Sequence, residues 1–360
     1  MDDFWLTHGK LITPRGIVSG AVKVSQGRIA AIRTVVPRGA RSINLRGAYL
    51  APGFIDLHVW GPPQTVSQEA VKAGTTTFLT TLGPESPAPL RAHTAERSAL
   101  RQWPGAECAG VHLEGPFVNP QRAGALPKRA MRAPTVRELA RLARAARGRL
   151  KLLTLAPELR GAKAAIRWCA RHGIAVSLGH SVADAARARD AVEAGASAVT
   201  HVFNGMPPLH HRQPSLLDVA LTDPRLTTMV IADGVHVGAS SLRLLAAVKG
   251  AAKIALVTDS IRYQGWDVVA RHGAYYTRNG TLAGGRLTMI EAVRHMVELA
   301  GVSLGEAVGM ATAVPARLLG LASRGVLAVG RRADLVAFDT KFCVLLTMVG
   351  GRVVYQRRGF

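Results

Sequence analysis

Cysteine, aromatic residues and acid are all scarce in this chain. Its three cysteines, Cys108, Cys169 and Cys343, lie far apart and form no C-x-x-C pair, which excludes a disulfide framework and a thiolate metal site. Aromatic residues make up 5% of the sequence, too few for the stacking platforms that bind single strands. No apolar run reaches the roughly 18 residues of a membrane span, and Met1-Asp2-Asp3 is acidic where a secretory signal is basic. The expectation is a cytoplasmic protein with no membrane partner. Acidic residues number 23 against 46 basic ones, a net charge of +23. Such an excess can mark a nucleic-acid surface, an anionic substrate or a compositional bias. The arginines are scattered at helical spacing, as in Arg137, Arg141, Arg144 and Arg147, which marks a solvated face, and no nucleic-acid partner is expected.

What is present is the balance of a folded domain, with 48% apolar and 19% charged residues. Short β-branched runs alternate with longer stretches of helical period, the pattern of parallel strands with crossover helices. Candidate strands are Phe54–Val59, Thr75–Thr81, Cys108–Leu113, Lys151–Ala156, Ala175–Gly179, Ala198–Val202, Thr228–Ala232 and Lys253–Thr258. Eight of them predict a closed (β/α)8 TIM-like barrel over residues 52–324. Helices are expected at about 67–73, 90–101, 134–147, 161–172, 183–194 and 240–249, with Thr135 and Ser240 near starts and Gly173 and Gly195 as stops. The two ends, 1–51 and 325–360, carry only short strand-like pieces, so they are expected to pair into one small β-sandwich module. No internal repeat or low-complexity segment is evident.

A barrel of this kind keeps its chemistry at the C-terminal ends of its strands. Here those ends read Asp56-Leu57-His58, His112-Leu113-Glu114, Gly179-His180-Ser181, Thr200-His201, Asp233-Gly234-Val235-His236 and Thr258-Asp259. One Glu and two His form a zinc ligand set that leaves a position for water, and iron, cobalt or manganese would also be accepted. Glu114, His180 and His201 are the expected ligands of one divalent cation, which would lower the pKa of a water from about 15.7 towards roughly 7. Asp259 is expected to take the water's proton and return it to a leaving amine, which makes amide hydrolysis the simplest reaction. Any one of these histidines alone would more often be structural; the four strand ends together carry the argument. Asp56 fits a turn-fixing role as well as a functional one. His112 is expected to pack beside Glu114 and orient it, or to lie in the core, and His8, His93 and His172 are expected on the surface.

These residues resemble the N-acetylglucosamine-6-phosphate deacetylase family of the amidohydrolase superfamily, nearly end to end. The matching segments are Pro52–His58, Leu113-Glu114-Gly115-Pro116-Phe117, Gly179-His180-Ser181, Thr200–Asn204 running into Met206–Arg212, Asp233–Val237, Val257-Thr258-Asp259, Leu287-Thr288-Met289 and Pro315–Gly320. The resemblance implies a metal-dependent hydrolase that frees acetate and an amino sugar phosphate from an N-acetylhexosamine phosphate. It implies Glu114, His180 and His201 as ligands and Asp259 as general acid and base. Asn204 and the Gly205 backbone would meet the sugar phosphate, His236 the sugar, and Arg212 the phosphate of a substrate bound in the partner subunit of a homodimer. An Arg suits that task because its guanidinium grips phosphate oxygens bidentately.

The chain also departs from the family pattern. Trp60 stands where many members carry the second His of H-x-H, so one metal is expected and the role of His58 stays open. Leu126 stands where a His would polarise the scissile carbonyl, a contact whose loss costs about 10² to 10³ in rate. The loop Gly61-Pro62-Pro63-Gln64 is shorter than the family's Gly-rich version, Gly205 replaces a commoner Ala, and Gln213 and Ser215 replace Glu and Gly. The changes surround the substrate and spare the metal. Two other readings therefore stand beside the first: a deacetylase of a different N-acetylated sugar or small amide, and a catalytically silent relative that binds sugar or nucleic acid.

Overall fold

Eight parallel strands follow one another around a ring in the order of the chain: Phe54–Trp60 (β1), Thr75–Leu82 (β2), Glu107–Glu114 (β3), Leu150–Leu155 (β4), Ala175–Leu178 (β5), Ala198–Val199 (β6), Thr227–Val230 (β7) and Ile254–Leu256 (β8). This is a computed structural model that describes residues 3–99, 103–262 and 267–360. Every residue of β1 and β2 is buried, as expected for strands covered on one face by helices and on the other by the barrel interior. Helices Pro63–Ala70 (α1), Pro87–Arg97 (α2), Val136–Ala145 (α3), Ala162–Arg171 (α4), Ala185–Ala194 (α5), Leu216–Thr222 (α6), Ala239–Lys249 (α7) and Met289–Glu298 (α8) accompany the strands. In α3, Leu139 and Leu142 face the core while Arg137, Arg141 and Arg144 are exposed, which is the solvated arginine face that the spacing predicts.

After β8 the chain swings across to β1, where Ser260 pairs with Val59 and Ile261 with Trp60. That pairing closes the ring. Asp56 holds the seam: its carboxylate accepts the Thr258 hydroxyl at 2.6 Å, the Thr258 N–H at 3.3 Å and the His58 N–H at 3.2 Å. Burial pushes the Asp56 carboxyl up, and these bonds pull against that rise. Past the seam, strands Val268–Arg271, Ala274–Thr277 and Leu282–Gly285 extend the sheet as an antiparallel flap that the sequence reading lacks.

The two chain ends share an eight-stranded sheet, in which Tyr49–Pro52 pairs antiparallel with Leu335–Phe338. It buries a separate apolar cluster that includes Leu6, Leu11, Ile29, Leu335 and Leu346. Arg324 and Arg332 both pair with Glu107 at the start of β3 and with Asp334 in the module, tying module to barrel.

Several element bounds differ from the expected ones for definable reasons. Helix α1 begins at Pro63, inside the segment read as a loop, because proline at a first helical position gives up an N–H that has no partner there anyway. β6 is only two residues long because the backbone leaves the ladder at once to turn His201 inward. The helix that begins before Ser240 starts after Gly238, and that expected to 101 ends at Arg97, with 100 and 101 outside the described residues. Thr135 accepts the Glu138 N–H, and Gly195 adopts a left-handed stop, as expected.

Asp56→Ala would strand three buried donor groups at the seam, and it is expected to lower unfolding free energy by about 1–3 kcal/mol. Urea denaturation checks this; a variant as stable as the parent would remove Asp56 from any part in closure.

Candidate active site

Four strand ends aim acid and imidazole groups into the mouth of the barrel. Glu114 closes β3, His180 and His201 follow β5 and β6, and Asp259 lies in the crossing after β8. The backbone at His180, His201 and Asp259 has φ of 47°, 27° and 48°. Such a left-handed conformation costs a non-glycine residue on the order of 1–3 kcal/mol and persists only where the surroundings enforce it. Here it turns each side chain out of the strand direction and into the mouth.

The side chains converge. His180 Nε2 lies 3.1 Å and His201 Nε2 2.9 Å from the same Glu114 Oε1, and the two imidazole nitrogens are 3.1 Å apart. One donor atom from each of Glu114, His180 and His201 falls within 4.8 Å of the others. Two nitrogens that close cannot both present protons to each other, whereas one cation between them and the carboxylate satisfies all three lone pairs. His180 Nδ1 donates to the Arg122 carbonyl at 2.6 Å, which leaves Nε2 as the basic atom facing Glu114. The donor set therefore fits a divalent metal of the zinc type.

His58, whose role the sequence leaves open, is fully buried with Nε2 3.3 Å from Glu114 Oε2 and 3.3 Å from Asp259 Oδ1. It bridges the two carboxylates. Burial opposes charge on its ring, but Glu114 and Asp259 outweigh it and hold the imidazole up at about 9. Burial likewise works to raise the Glu114 carboxyl, yet His58, His180 and His201 hold it well below the usual range. The centre is thus one anionic carboxylate surrounded by basic nitrogens. His112 is not an orienting partner of Glu114: its Nε2 meets the Thr154 hydroxyl at 2.8 Å, and its ring packs edge-on against His58. Burial pushes its pKa well down.

The remaining expected residues spread over two regions. Gly205 has φ of 63°, and a Cβ there would lie 3.1 Å from His180 Nδ1, so this glycine lets the backbone pack on the imidazole. Asn204 sits beside it, half-buried. His236 is fixed by a 2.5 Å contact between its Nδ1 and Asp233 Oδ2. Arg212 lies apart from this cluster, exposed, with its guanidinium 3.0 Å from His211 Nε2; His210 and His211 stack on one another. His8 is exposed, His93 pairs with Glu85, and His172 stacks on Trp168.

Three supports were invisible in the sequence. Trp60 Nε1 donates to Asp259 Oδ1 at 2.9 Å, so the residue that departs from the family pattern grips the expected proton carrier. Glu158 accepts from Asn119 Nδ2, the Ser181 hydroxyl and the Val182 N–H, clamping the turn after His180 to the loop after β3. The Arg122 carbonyl comes from that same loop. None of these carries a local signal, because each joins segments distant in sequence.

His180→Ala removes one of the three converging donors and is expected to weaken zinc binding by at least about 10- to 100-fold. Titration of chelator-stripped protein with a competing dye measures it; unaltered affinity would mean that His180 is no ligand.

The amidohydrolase family model matches residues 49–354, and a composite-domain model described for allantoinase matches residues 1–39. The chain is 35% identical to N-acetylglucosamine-6-phosphate deacetylase of Bacillus subtilis (strain 168), over 94% of this chain and 93% of that one. It is 34% identical to N-acetylgalactosamine-6-phosphate deacetylase of Escherichia coli O157:H7, covering 96% and 97% of the two chains. A mutant N-acetyl-D-glucosamine-6-phosphate deacetylase from Mycobacterium smegmatis, solved in complex with N-acetyl-D-glucosamine-6-phosphate, superposes with a TM-score of 0.88 at 30% identity, over 99% of this chain and 100% of that one. With its barrel, its buried Glu-His-His cluster and these full-length likenesses, the chain belongs to the amidohydrolases, as a divergent member of the N-acetylglucosamine-6-phosphate deacetylase family.

Proposed function

We propose that the protein hydrolyses the acetamide of an N-acetylhexosamine phosphate, of the N-acetylglucosamine-6-phosphate kind, to acetate and the amino sugar phosphate. The convergence of Glu114, His180 and His201, with Asp259 held beside them through His58, carries this reading. The three converging residues would hold one divalent ion, zinc first among the candidates, and that ion when bound supplies Lewis acidity and a water of lowered pKa. Asp259 takes a proton as water adds to the amide carbonyl carbon. It returns that proton to the nitrogen as the C–N bond breaks, so the amine leaves protonated. Trp60 and His58 fix the carboxylate in place for both transfers.

Asn204, Gly205 and His236 gather after β6 and β7 and would bind the sugar. Arg212 projects from an exposed loop that also carries Leu209, 53% exposed. A cation and an apolar side chain on one projecting loop suit a homodimer in which Arg212 reaches the phosphate bound by the partner subunit. No helix among the described residues is long and apolar enough to cross a membrane, and Cys108, Cys169 and Cys343 are unpaired. Unpaired thiols suit the reducing cytoplasm.

The test is acetate release from a panel of N-acetylated sugars, each with and without a 6-phosphate. Turnover is expected with the phosphorylated hexosamines, and none above the metal-stripped control would overturn the reading. Asp259→Asn should lower kcat by about 10² to 10⁴. Arg212→Ala should raise KM for phosphorylated substrates alone; an equal rise for unphosphorylated sugars would remove phosphate from its role.

A further inference from the structure

A cavity of about 890 Å³ opens above β1, β2 and the loop after β3, on the opposite side of the barrel mouth from Asn204, Gly205 and His236. That volume falls in the range of pockets that enclose drug-sized ligands, about 300–1,000 Å³. Trp60, Leu82, Pro84, Leu126 and Met131 give it an apolar part, and charged side chains, among them Glu85, Arg97 and Arg132, line the rest. Trp60 joins it to the reacting groups. The indole nitrogen donates to Asp259, while the far edge of the same ring borders the cavity, 3.2 Å from where a Cβ on Gly83 would lie. Leu126 Cδ2 is 3.6 Å from that same point, so these two side chains form one wall. The turn leading to Leu126 runs from Arg122, which holds His180, past Gly124, whose Cβ would lie 3.7 Å from the His180 ring.

We propose that this cavity receives the acyl side of the amide, and that the enzyme takes N-acyl groups larger than acetyl, with an apolar chain of four or more carbons or an aryl-acyl group. This rests on the hydrolytic reading above, in which the amine side lies over β6 to β8. An amide carbonyl at the Glu-His-His centre with its amine on that side directs its acyl substituent towards β1 to β3. Acetyl would leave almost the whole cavity unfilled. A longer chain buries itself against Trp60, Leu126 and Met131, and each added methylene in an apolar pocket is worth about 10- to 200-fold in selectivity at most. The reaction is otherwise unchanged: water adds to the carbonyl carbon, the C–N bond breaks, and a carboxylate and a protonated amine leave.

The experiment measures release of free amine by the metal-loaded protein from N-acetyl-, N-butanoyl-, N-hexanoyl- and N-phenylacetylglucosamine 6-phosphate. The hexanoyl or phenylacetyl compound is expected to exceed acetyl at least tenfold in kcat/KM. Leu126→Trp and, separately, Met131→Trp fill the cavity and should lower the hexanoyl-to-acetyl ratio at least tenfold. Turnover of acetyl with slower turnover of every longer acyl group overturns the inference and leaves the hydrolytic reading standing. A preference for longer chains that neither filling variant alters also overturns it, since the chain would then bind elsewhere. No amine from any compound overturns the hydrolytic reading, and the inference falls with it.

Discussion

The seam between the last and first barrel strands is the constraint on which the site depends. Two residue pairs, Ser260 with Val59 and Ile261 with Trp60, turn an open sheet into a ring. The chain must cross from β8 to β1 to make them, and Asp259 lies on that crossing, with its N–H donating to the His58 carbonyl. Closure therefore brings Asp259, His58 and Trp60 together in one act. The Asp56 carboxylate beneath them binds donors from both sides of the seam. A ring that failed to close would leave Glu114, His180 and His201 on one continuous stretch of sheet but would carry the proton-handling carboxylate away from them.

A second constraint is electrostatic. Glu114 is buried among three imidazoles, and burial alone would favour its neutral form. The basic rings reverse that preference. What results is a pocket already arranged for positive charge at its centre, built before any ion arrives. The neighbouring supports are less symmetric: His180 is held on its far nitrogen by the Arg122 carbonyl, while His201 Nδ1 is buried without a partner. The two ligand candidates thus differ in how firmly their rings are oriented.

Much of this was legible in the sequence because strand ends in a parallel barrel are local features. Hydrophobic runs locate the strands, and the polar residue that terminates each run is the one that reaches the mouth; Glu114, His180, His201 and Asp259 were found that way. The exact length of β6 was less legible, since His201 leaves its ladder through a left-handed turn with no glycine to announce it. The start of α1 was hidden by two prolines that read as loop. His58 could not be decided, because its meaning depends on two carboxylates contributed by β3 and the seam. Trp60 read as a loss of metal-binding capacity, and only the fold reveals the hydrogen bond to Asp259 that its indole makes instead. The clamp made by Glu158 was beyond reach for the same reason: pairing across folded space leaves no trace in spacing.

The union of the two termini in one sheet bears on how the protein is made. Tyr49–Pro52 finds its neighbour in Leu335–Phe338, so during synthesis the early segment has to wait until the chain has been made as far as Phe338. Until then one side of Tyr49–Pro52 keeps hydrogen-bonding groups that no other strand has taken up, a surface on which nascent chains can join one another. The barrel strands are thus all made before the partner of this early strand is, and the module can close only over a ring already complete in sequence.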